Sequence, residues 1–133
     1  MALVLSFSLI AQKQTDKIPS NVKAAFEKAY PQIKKVKWEK EKGNYEAGFT
    51  ENKVTKSVLL DAKGKILETE VEIPIANLSK SMTDYVAKNY PNKIIQGAAT
   101  ITDFSNNITY EAEIKGLDLL FDEKGNFIKS VKD

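Results

Sequence analysis

Hydrophobic positions along this chain change period twice, in the same order each time. After Ile18-Pro19-Ser20, the residues Val22, Ala25, Phe26 and Ala29 recur at helical spacing and make one apolar face. Tyr30-Pro31 stops it, because the residue before a proline is pushed out of the α region. The spacing predicts a first helix over residues 20–30. The period then drops to two. Val36-Lys37-Trp38-Glu39-Lys40 alternates as a half-buried strand does, Tyr45, Ala47 and Phe49 follow, and residues 54–60 predict a third strand. Asp61-Ala62-Lys63-Gly64 reads as a hairpin turn, with glycine free to take positive φ. Leu67, Thr69, Val71 and Ile73 alternate with Glu68, Glu70 and Glu72 in a fourth strand, which Pro74 ends.

The second half repeats the first. Leu78, Met82, Tyr85, Val86 and Asn89 space out as a helix closed by Tyr90-Pro91, and four strands are expected near residues 94–104, 108–115, 117–122 and 126–132. Asn44-Tyr45-Glu46-Ala47 returns as Thr109-Tyr110-Glu111-Ala112. Leu59-Leu60-Asp61-Ala62-Lys63-Gly64 returns as Leu120-Phe121-Asp122-Glu123-Lys124-Gly125. The pairs keep their order at an offset of roughly 60 to 65 positions, as duplicated units do. A longer loop between the first two strands of the second unit accounts for the drift. The expected fold is α+β: a tandem duplication of a helix-plus-four-antiparallel-strand unit, residues 12–73 and 74–133. One compact domain results, an antiparallel sheet with both helices on one face and the other face open. Tyr45 is expected to match Tyr110, Leu60 to match Phe121, and Gly64 to match Gly125.

Residues 1–11 stand apart. Ala2 to Ala11 carries no charge and has the length of a signal-peptide apolar region, too short to span a bilayer. Polar Gln12-Lys13-Gln14 follows at once. No lysine or arginine precedes the run, and its residues also suit a buried strand, which is the competing reading. The first reading, a signal-peptide remnant, implies a periplasmic or secreted protein with no membrane span in its mature form.

Composition removes several chemistries. The 133 residues include no histidine, cysteine or arginine. Cys/His zinc sites, thiol nucleophiles, disulfides and Ser-His-Asp chemistry fall together. Without arginine there is no bidentate fork for phosphate or guanine. A net charge of +2, with acids interleaved among the lysines, makes no focused basic patch. No nucleic-acid partner, no cofactor and no metal are expected, and nothing in the chain calls for more than a monomer. The Asp61-x-x-Gly64 and Asp122-x-x-Gly125 motifs offer too few acids for a calcium loop and read as turns.

The acidic strand residues are the remaining candidates. Glu68 and Glu70 share one sheet face, and Glu46, Glu111 and Glu113 are expected on the same side, among Lys37, Lys56, Lys115 and Lys129. That pattern suits a solvated face, a partner-binding face or, with a pocket to shift a pKa, acid/base chemistry. Trp38, the single tryptophan, lies among lysine and glutamate and is a candidate aromatic anchor.

Val36-Lys37-Trp38-Glu39-Lys40-Glu41, Gly43-Asn44-Tyr45-Glu46-Ala47, the Phe26-x-x-x-Tyr30-Pro31 helix end and Leu120-Phe121-Asp122-x-x-Gly125-Asn126 together resemble the PepSY-like periplasmic protein family. That family is similar in fold to the β-lactamase inhibitory protein, which grips its enzyme with a concave open sheet face. The resemblance implies a non-enzymatic protein-binding or inhibitory module, with a periplasmic or extracellular protein as partner. It carries over no target, and the inhibitor's disulfides have no counterpart here. A small-ligand carrier and a structural envelope-associated domain are the alternative readings. If residues 1–11 are a leader, N-terminal sequencing of the exported protein will begin near Gln12.

Overall fold

The computed structural model describes residues 17–132. Helix α1 (Ser20–Ala29) precedes strands β1 (Lys37–Glu41), β2 (Asn44–Glu51), β3 (Val54–Leu60) and β4 (Ile66–Ile73). Helix α2 (Lys80–Asn89) precedes β5 (Gly97–Asp103), β6 (Ile108–Ile114), β7 (Leu117–Phe121) and β8 (Phe127–Lys132). The eight antiparallel strands form one sheet in chain order, β1 to β8. No helix among the described residues is long and apolar enough to cross a membrane. The leader reading falls on residues 1–11, outside the described residues. Contacts divide the chain inside β4, between Glu70 and Val71.

In the first unit, α1 lays Val22 and Phe26 on the strands, where they meet Ala47, Phe49, Val58 and Leu60. Phe26 is the hub: it stacks on Tyr30 with centroids 5.1 Å apart and meets Trp38 and Phe49 edge-on at 5.6 and 5.3 Å. Such pairs add about 0.5–1.5 kcal/mol each beyond their buried area. In the second unit, Met82 and Val86 of α2 pack on Ala98, Ala112, Ile114, Leu119 and Phe121. There the aromatic volume has moved to the last strands, where Phe127 stacks on Tyr85 of α2 and Phe121 meets both edge-on. Alanine at position 98 occupies the register held by Trp38 in the first unit, since each pairs with the alanine of the next strand.

The repeat is visible in the hydrogen-bond register. Tyr45 pairs with Leu60, and Tyr110 pairs with Phe121. Both helices end on a tyrosine in a non-helical conformation before proline, with the tyrosine N–H still donating to the carbonyl four residues back. The two Asp-x-x-Gly turns close alike. Asp61 Oδ1 accepts the N–H groups of Lys63 and Lys65, and Asp122 Oδ1 those of Lys124 and Asn126, all at 2.8–2.9 Å. These carboxylates are engaged in holding their own turns. The structure then ties each turn to its helix. Asn21 donates to the Ala62 carbonyl at 2.9 Å, and Ser81 donates to the Gly125 carbonyl at 3.0 Å.

Two length differences separate the repeats. The β5–β6 connection is longer than the β1–β2 turn, as expected. The β2–β3 hairpin is in turn longer than its counterpart: the pair Phe49–Lys56 encloses residues 50–55, whereas the pair Ile114–Leu117 encloses only Lys115 and Gly116. The first unit therefore carries a projecting β2–β3 arm.

Gly125 sits at φ +88, and a Cβ there would fall 2.9 Å from Ser81 Cβ. Gly43 shares the positive φ, at +86, yet has nothing within 4 Å of such a Cβ. Gly125→Ala is expected to cost about 1–3 kcal/mol, and more than Gly43→Ala, which bears the backbone strain alone. Urea unfolding of the two variants measures the difference.

Candidate functional site

Strand alternation sends one row of each strand to the helix and the other to the opposite face. In the first unit that opposite face carries Glu39 on β1, Glu46 on β2, and Ser57 and Leu59 on β3. Glu39 lies directly across from Glu46, and Glu46 directly across from Leu59. Glu68 of β4 lies close enough to Glu41 to act on its charge. Alternation puts Glu70 on the same row of β4 as Glu68, and Glu70 is fully buried. In the second unit Glu111 lies between Ala99 and Leu120, with Lys129 next in the row. The adjacent row holds Gly97, Glu113, Asp118 and Val131. Glu113 folds over Gly97, where a Cβ would come within 3.1 Å of its Oε1. Ile101, Leu120 and Val131 make a small apolar cluster beside these acids.

Glu41 thus lies near both Glu46 and Glu68 in one unit, and Glu111 and Glu113 alternate on one face of β6 in the other. Two expectations need correction. Trp38 does not reach this face: it pairs with Ala47 and packs on Phe26, inside the helix-side core. Alternation decides this, because Trp38 shares its row with Val36 and not with Glu39. Nor is the face simply solvated, although Lys37 and Lys129 do lie on it as expected. Glu46 and Glu111 are only 6% and 4% exposed. Lys56 belongs to the helix-side row of Phe49 and pairs with Glu51 at 2.9 Å, and Lys115 sits in the β6–β7 turn. Glu39, Glu41 and Asp118 join the acidic rows unannounced. Their signal was alternation with Trp38, Lys40, Leu117 and Leu119, and it becomes readable once the core row is known.

At one end of the first unit, the projecting β2–β3 arm and the connector from α1 to β1 enclose a groove of about 730 Å³. The second unit's short β6–β7 turn builds no such arm.

A family model described as "Putative beta-lactamase-inhibitor-like, PepSY-like" matches residues 11–68 and, in a second copy, residues 44–129. The chain belongs to this PepSY-like family. It is similar to a crystal structure of "putative periplasmic proteins" from Bacteroides eggerthii, at 15% identity over 87% of this chain and 89% of that one, with a TM-score of 0.73. It is similar as well to a DUF2874 family protein from Bacteroides ovatus, at 21% identity over 88% and 89% of the two chains and a TM-score of 0.71. A "BLIP-like protein" from Bacteroides fragilis aligns at 22% identity over 90% and 91%, with a TM-score of 0.65. At these identities the likeness is one of fold. No curated protein matches the chain.

In this PepSY-like chain the Glu46 carboxyl is strongly perturbed. Burial pushes it from the ordinary 4.5 up to about 8. The neighbouring Glu39 carboxylate, which can accept the Glu46 proton, and the charge of Glu41 push the same way, and the nearby Ser57 hydroxyl opposes them. Burial also raises Glu41, against the attraction of Lys42. A buried carboxyl beside other carboxyl groups cannot ionise cheaply, so Glu46 keeps its proton near neutral pH. The folded chain keeps that proton to higher pH than the unfolded chain. The stability it brings is complete below about pH 4.5 and is lost as pH rises toward 8. Glu46→Gln is expected to flatten this loss, on the order of 3 kcal/mol. Urea unfolding of both proteins from pH 5 to pH 8.5 checks the slope.

Proposed function

We propose that this chain is a periplasmic or secreted, non-enzymatic protein-binding module whose contact surface is the sheet face turned away from the helices. One observation carries the reading. In each unit that face presents half-buried carboxylates, Glu39, Glu41 and Glu68 in the first and Glu113 in the second, beside the buried Glu46, Glu111 and Asp118. The apolar cluster of Ile101, Leu120 and Val131 lies among the acids of the second unit. Acids around a small apolar centre suit a protein partner with a lysine- or arginine-rich surface. Charge complementarity of that kind sets specificity and association rate more than raw affinity. The family's inhibitor-like description and the periplasmic and BLIP-like names of its structural relatives support the same reading. A module of this kind acts by occupying its partner's surface.

Glu68 and Glu113 are the acids to reverse, because both are only half-buried, whereas Glu111 is buried. The double variant Glu68→Lys/Glu113→Lys is expected to lose at least tenfold in capture of a partner from periplasmic extract. Capture by the wild-type chain is expected to fall between low and high salt, with circular dichroism confirming both folds. Equal capture by the two proteins at both salts refutes the assignment of this face.

A further inference from the structure

The groove of the first unit has a composition of its own. Its apolar wall comes from Ile33 and Val36 of the α1–β1 connector and from the edge of Phe49. Lys34, Lys35 and Lys37 also line it, and no acid does. Lys34 and Lys35 are exposed, and among the described residues no ion pair engages either of them. Thr50 and Thr55, on the projecting arm, line it as well. The acid nearest in sequence, Glu51, is already neutralised by Lys56. A volume of about 730 Å³ lies within the range of small-molecule sites, which are mostly apolar with a few convergent polar groups.

We infer that this groove is a binding site for a small anionic amphiphile: an apolar body lying on Ile33, Val36 and Phe49, with a carboxylate or sulfonate head held by Lys34 and Lys35. Lysine suits such a head as a mobile point charge, and the threonine hydroxyls supply hydrogen bonds that a purely electrostatic patch lacks. Lys37 and Gly48, which pair with each other, place the groove one row beyond Glu39 and Glu46. It also explains why the two repeats differ where they do. Beyond Gly48, β2 has no β1 beside it, because β1 begins at Lys37. The arm of residues 50–55 therefore projects over the connector and not over a strand. The second repeat omits the arm and has no wall there.

The test uses 8-anilinonaphthalene-1-sulfonate as the probe and the whole chain as the receptor. Saturable fluorescence enhancement is expected, displaced by decanoate. Lys34→Glu/Lys35→Glu is expected to weaken probe binding at least tenfold. A second variant replaces residues 50–55 with the Lys-Gly turn of the second repeat, which the fold already builds, and is expected to abolish binding. Circular dichroism and the unfolding midpoint establish that each variant is folded. Retention of wild-type affinity in both folded variants overturns the proposal. So does displacement of the probe by an acidic peptide such as Glu-Val-Glu-Val-Glu but not by decanoate, which would assign the groove to a protein segment.

Discussion

One ten-residue helix must cover four strands in each unit, and that constraint organises the rest. A helix of this length puts only two residues fully into the core, Val22 and Phe26 in one unit and Met82 and Val86 in the other. So little helical surface seals a sheet face only if the facing strand rows are mostly apolar and tightly packed. The polar residues of the strands are thereby driven to the opposite row. The acidic face is the by-product of a thin core, and its carboxylates stand across from one another because alternation leaves them nowhere else to go.

The same constraint explains why each helix is anchored by a turn. Packing alone gives a short helix little purchase, so Asn21 and Ser81 fasten the two helices to the Asp-x-x-Gly turns. Glycine lets each turn come close beneath its helix. At Gly64 a Cβ would lie 3.0 Å from Ala25 Cβ. Within this shared frame the two cores are filled differently. Phe26, Trp38 and Phe49 supply the bulk in the first unit and Tyr85, Phe121 and Phe127 in the second. Equivalent registers accept a tryptophan or an alanine because the lost volume is returned elsewhere, as close packing requires.

Duplication also frees one copy to vary. The helix ends and the Asp-x-x-Gly turns are common to both units because they set the geometry of each. The copies part at other hairpin tips: the first unit lengthens its β2–β3 arm and the second its β5–β6 connection. The acidic rows lie on a surface both copies share, while the groove belongs to an element that one copy has added.

Local chemistry determined what the sequence made legible by itself. Proline after tyrosine ended both helices, Asp-x-x-Gly placed two turns, and period-two runs located eight strands, because each signal acts within a few residues of chain. The duplication was readable for the same reason. The assignment of rows to faces was not local. Trp38 and Glu39 alternate in either case, and only the packing of Phe26 against Trp38 decided that the tryptophan lies within the core and the glutamate outside it. The state of Glu46 likewise depends on Glu39, Ser57 and Leu59, which pairing of three strands brings to it. Whether a strand acid is solvated or buried is a property of its neighbours across the sheet, and register is settled by the tertiary structure alone.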